Sequence, residues 1–235
     1  MSIWGKLAAA ELMVTGPISA LLGGRAVPDD RAKKQDQLAE NQVAFTVGVI
    51  MLGAKMAKAD GVVTSDEVNA FKDAFKVSNA EMKQAARVFN LAKQDVAGYE
   101  TCAEQLVIVF KGNRKMLEDV LEGLFHIAKA DEALHPEEEN FLAQVAKRFG
   151  FSDADFRSIR ARHVVASERD PYEVLGLDPE VNDAGLERRY RALLADNQPD
   201  KLVARGVPEE FVAIAVEKLA AIEEAYAAIA KQRGL

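Results

Sequence analysis

Apolar side chains in this chain recur at helical spacing and never alternate for long. The strongest stripe is Leu117, Val120, Leu121, Leu124, Phe125 and Ala128, which share one face of a 3.6-residue period. Val43, Val47, Ile50, Met51 and Ala54 form an earlier stripe, and Phe71 with Phe75, then Val88 with Leu91, repeat the spacing more weakly. Phe141, Val145 and Phe149 follow, with Gly150 placed as a helix terminator. No segment sustains the two-residue period of a half-buried strand. The pattern predicts an all-α protein, and the dominance of Ala, Leu, Lys and Glu, all good helix formers, points the same way.

The chain has 235 residues, 49% of them hydrophobic and 29% charged, which suits one or two ordinary globular domains. A net charge of −7 argues against nucleic acid as the partner. Cys102 is the single cysteine, so an internal disulfide or a cysteine metal cluster is excluded. Its apolar neighbourhood (Leu106 to Val109) reads as a buried, inert thiol in a reducing, cytoplasmic compartment. Residues 1–40 read as a leader and linker. Glu11, Gly16 and Pro17 interrupt its apolar start, and the stretch from Leu12 to Gly24 falls short of the roughly 20 residues a spanning helix needs. Trp4 and Lys6 leave peripheral attachment to an inner membrane open. No Gly-x-Ser-x-Gly, phosphate-cradling loop or spaced His/Cys cluster supports catalysis by the chain itself, and no resident cofactor is expected.

One string occurs twice. Ala57-Lys58-Ala59-Asp60 returns as Ala128-Lys129-Ala130-Asp131, and each copy meets an acid seven residues on, Glu67 and Glu138. Two readings of these acids stand. Asp60, Glu67, Asp131 and Glu138 brought together would make an oxygen-rich site for a divalent cation such as calcium, magnesium or manganese. Alternatively they serve helix starts: Thr64-Ser65-Asp66-Glu67 has the form of a capping box, and His135-Pro136-Glu137-Glu138 puts proline at a first helical position with acids in the first turn. A calcium EF-hand is rejected, because Met56 and Lys58 occupy ligand positions.

The paired strings and their following acids resemble the TerB-like family over residues 41–162. The stretch from Ala130 to Glu138 is similar to the corresponding part of DjlA-like proteins. The resemblance implies an all-helical bundle that recognises a client or partner.

The pattern changes after a basic segment, with 163–169 read as a linker. Asp170-Pro171-Tyr172-Glu173 sets a helix start in which Asp170 caps, Pro171 takes the first position and Glu173 completes a box. Gly176 ends that helix, and Asn182 or Asp183 caps the next. Leu186, Tyr190, Leu193 and Leu194 then carry a stripe, with Arg188, Arg189 and Arg191 on the remaining surface. Asn197 to Lys201 breaks the helix, and Gly206-Val207-Pro208 precedes a long one through Phe211, Ile214, Leu219, Ile222, Tyr226 and Ile229. Two antiparallel helices joined at a Pro199 tip are predicted.

Residues 170–235 resemble a J domain of the DnaJ family, of the DjlA-like kind. The residues that carry this are Asp170 to Leu177, Arg188 to Arg191, Pro199 to Pro208 and Ala221 to Tyr226. The resemblance implies a partner of the DnaK type whose ATP hydrolysis is stimulated, contacted by Arg188, Arg189, Arg191, Gln198, Pro199, Asp200 and Lys201. Pro199 and Asp200 match the family's His-Pro-Asp tip, whereas Gln198 replaces its histidine and has no titratable ring. Gly185 is a second departure, a glycine in a helical first turn. The expected function is a DjlA-like co-chaperone, with an adaptor that has lost stimulation, or a metal-binding stress protein, as alternatives.

Overall fold

The earliest stripe belongs to one long helix, α1 (Asp30–Ala59), in a computed structural model that describes residues 30–59, 98–129 and 134–235. The helix begins eleven residues before the expected domain start at Asn41. Asp30 to Glu40 is polar but contains neither glycine nor proline, so nothing in it resists helix once the apolar stripe that follows is packed. The leader before Asp30, the Phe71, Phe75, Val88 and Leu91 stripes and the Thr64–Glu67 box lie outside the described residues.

Four further helices build the first layer of packing: α2 (Tyr99–Val109), α3 (Arg114–Ala128), α4 (Pro136–Arg148) and α5 (Asp153–Ala161). The α3 stripe is buried as expected, together with Phe45, Ile50, Leu52 and Met56 of α1 and Leu106 of α2. Cys102 is buried with them. Local chemistry sets the helix ends. Asn113 accepts from the Lys115 and Met116 amides, Ser152 and Asp155 form a reciprocal box, and Gly150 adopts the left-handed conformation after α4.

The remaining helices are α6 (Pro171–Leu175), α7 (Asp183–Asp196), α8 (Pro199–Arg205) and α9 (Val212–Arg233). All described regular elements are helical. Asp170 caps α6 as expected, accepting from Tyr172 N at 2.8 Å. Glu173 does not fold back to close a box; its carboxylate faces Arg157 at 3.7 Å. Gly185 follows from close packing: a β-carbon there would stand 2.7 Å from Val181 Cγ2, while its amide donates to the Asn182 cap at 2.8 Å. The antiparallel seam between α7 and α9 is present, with Tyr190 stacked on Tyr226 at 3.9 Å between centroids.

Two apolar clusters result, and they do not divide where the sequence changes pattern. Val174, Leu175, Leu186, Leu193, Ile222, Ala225 and Ile229 form the smaller one, joined by Ala161 of α5. Leu202, Val207, Phe211, Ile214 and Ala215, all beyond the tip, instead belong to the large cluster with α1 and α3. Phe211 meets Phe45 edge-to-face at 4.9 Å. The stretch 163–169, read as a linker, starts with a nearly buried His163 side chain and holds a short 3-10 turn, Ala166–Glu168.

Candidate functional site

The expected contact residues occupy α7 and the first turn of α8. Arg188 and Arg191 are exposed, and Arg191 Nε pairs with Glu187 at 2.7 Å. Arg189 departs from the expectation. It is turned inward, its Nε donating to the Leu175 carbonyl at 2.8 Å, and burial together with the nearby Arg162 charge lowers its pKa. A glycine at 176 makes room for it, since a β-carbon there would lie 3.3 Å from Arg189 Nη2. Gln198 sits at the N-cap of α8, exposed, with its carboxamide donating to the Leu194 carbonyl at 3.1 Å. Pro199 takes the first helical position, and Asp200 and Lys201 are exposed in the same turn. The tip is therefore a proline-started helical turn that presents Gln198, Asp200 and Lys201 to solvent.

Of the four acids proposed for a cation, Asp60, Glu67 and Asp131 lie outside the described residues. Glu138 is buried and accepts from the His135 amide at 3.1 Å, the back-reach of a capping box at the start of α4. Among the described residues no group of three or more acids, histidines and cysteines is placed to hold a metal.

A cluster that the sequence reading did not anticipate lies behind the tip. Glu118, Asp119 and Glu122 project from α3 toward Arg162 and His163 after α5, Arg205 of α8 and Lys218 of α9. Arg162 Nη1 donates to Glu118 at 2.8 Å and to Glu122 at 2.7 Å. Lys218 Nζ reaches the same two carboxylates, each at 2.9 Å. Arg205 Nη2 donates to Asp119 at 2.8 Å, and its Nη1 to the Asp196 carbonyl at 2.8 Å. His163 bonds through Nε2 to Glu122 and stacks on Phe125 at 4.8 Å. Burial lowers the His163 pKa, so the ring is neutral near pH 7 and donates to the carboxylate. Three carboxylates then balance three cations, as an ion cluster shielded from water requires. The available signal was Glu118 and Glu122 one turn apart beside the strongest apolar stripe, where an acid needs a partner.

The carboxylates respond differently to burial. Lys218 and Arg162 hold Glu118 down at about 2 and Glu122 well below the usual range, against the desolvation that opposes them. Asp119 goes the other way: burial pushes it up despite Lys218 and Arg205.

These directions fix a pH dependence. His163, Glu118 and Glu122 each bind protons more weakly in the folded state, so each contributes stability that is lost on acidification; Asp119 offsets part of it. Stability is expected to fall first below the ordinary histidine value of 6.5, and again between 4.5 and about 2 as Glu118 titrates. Urea midpoints at pH 7.5, 5.5 and 3.5 measure this, and a midpoint at pH 5.5 equal to that at 7.5 would contradict the histidine step. His163→Gln is expected to abolish that first step.

A bundle of this kind, bound to a helical pair with a proline-started tip, defines a two-module helical protein. Residues 46–161 match the family model of the tellurite resistance protein TerB, which ends where α5 ends. The chain is 27% identical over 269 residues to the co-chaperone protein DjlA of Escherichia coli K12, covering 100% of this chain and 99% of the relative. It is 28% identical over 231 residues to the DjlA of Vibrio vulnificus (83% and 80%), and 29% over 231 residues to that of Photobacterium profundum (87% and 82%). No solved structure matches the chain. The chain is DjlA-like over most of its length, and the TerB match covers its helical bundle. Among the described residues no helix is long and apolar enough to cross a membrane.

Proposed function

We propose that the chain is a J-domain co-chaperone that docks on a DnaK-type chaperone and modulates its ATPase cycle. Relatives named as co-chaperones over most of the chain support the co-chaperone role. The finer reading rests on one juxtaposition: the exposed Gln198, Asp200 and Lys201 turn stands at the end of the helix that displays Arg188 and Arg191. Arginine and lysine on such a rim steer an acidic partner surface by charge. The TerB domain carries the recognition of a client or other partner.

Gln198 favours a second reading, an adaptor that binds without stimulating. Its carboxamide is engaged with the Leu194 carbonyl and supplies neither a ring nor a titratable charge at the tip. Single-turnover ATP hydrolysis by the DnaK-type chaperone of the same organism separates the two. The chain and its Gln198→His variant are each added, and stimulation by the natural chain is expected. Stimulation by the histidine variant alone would establish the adaptor. No effect from either, with no binding, would refute docking altogether.

A further inference from the structure

We infer that the TerB domain builds the docking tip: Asp119 of α3 and Asn41 of α1 are positioning residues for residues 196–207, so the contact surface is completed by both domains. This deepens the proposed function and rests on it. Arg205 is the centre of the arrangement. One guanidinium nitrogen donates to the Asp196 carbonyl at the end of α7, closing the loop that carries Gln198 to Lys201. The other side of the same guanidinium grips Asp119 through Nε at 3.2 Å and Nη2 at 2.8 Å. The Asn41 side chain donates to the Arg205 carbonyl at 3.2 Å, fixing the end of α8 from the opposite face.

Gly206 makes that approach possible. It has φ +109°, and a β-carbon would stand 2.5 Å from Asn41 Cβ. Lys115 adds a contact from α3 to the Asp196 side chain. Below the turn, Leu202 and Val207 are buried in the large cluster, not in the seam between α7 and α9. The smaller cluster includes no residue from 197 to 213, so within the described residues the tip packs on the large cluster, against α1 and the start of α9. Asp119 holds its position against the cost of burial, which raises its pKa. An asparagine there keeps the shape and an acceptor oxygen for Arg205 but loses the charge, so the grip on Arg205 weakens.

The test uses the full chain. Asp119→Asn is expected to speed amide exchange in residues 197–207 by about tenfold or more, as a local opening does, with exchange in α4 unchanged. Affinity for the DnaK-type chaperone with ATP is expected to fall by about fivefold, read by calorimetry or interferometry. Arg205→Lys is the second variant: it keeps the charge but lacks the planar fork that spans Asp119 and the Asp196 carbonyl, and the same two changes are expected. Unchanged exchange in both variants would overturn the positioning role, whatever the chaperone does. Faster exchange with full affinity would overturn the composite surface. Where the natural chain fails to bind the chaperone, the proposed function falls, and the exchange measurement still decides whether TerB holds the tip.

Discussion

Glu122→Gln is expected to lower the free energy of unfolding by about 3–5 kcal/mol, the usual effect of breaking a buried ion pair from one side. Glu122 is 2% exposed and is shared by Arg162, Lys218 and His163. Glutamine keeps the shape but leaves three cations facing two carboxylates, with Arg162 and Lys218 themselves buried. Desolvation, not the lost attraction, makes this expensive. Pairing the change with Lys218→Met restores the balance of charge and is expected to recover much of the loss, because a neutral apolar replacement of an ion pair often costs little. Equilibrium urea unfolding of both variants measures the difference. A loss below about 1 kcal/mol for the single variant would place the cluster with weak surface pairs.

Phe211→Ala is expected to cost a similar amount, about 3–5 kcal/mol for a large buried aromatic, and to destabilise the TerB bundle although it lies beyond the tip. Its ring is 2% exposed, edge-on to Phe45, and within 3.2 Å of where a Gly123 β-carbon would be. Removing it opens a hole between α1, α3 and α9, which close packing on three sides prevents from collapsing. Calorimetry is expected to show one transition for the natural chain and one, moved down by about 10 °C, for the variant. Two separated transitions, with only the smaller one moved, would show that the modules unfold apart.

Much of the architecture was legible in the chain. The stripe through Leu117, Val120, Leu121, Leu124 and Phe125 is a core-facing helix, and all five side chains are buried. The start at Asp170-Pro171 and the stop at Gly176 are also as read, because caps and left-handed terminators depend on neighbouring residues only. The start of α1 was not legible, since polar helix formers before the stripe look the same in a linker and in a helix extended by packing. The tip was partly so. Gln198, Asp200 and Lys201 are displayed, but Arg189 is turned inward onto α6, because which side of a helix meets another helix cannot be read from that helix alone.

The sequence by itself determined the helical class and the helix ends at 170–176 and 182–185. These are local matters of period, propensity and capping. Only the tertiary structure decided that Arg162, His163, Arg205 and Lys218, from three separate stretches of sequence, converge on three acids of α3. The physical reason is desolvation. A buried charge is tolerated only where opposite charges meet it, and that meeting is set by packing the two modules into a shared core through Leu202, Val207 and Phe211.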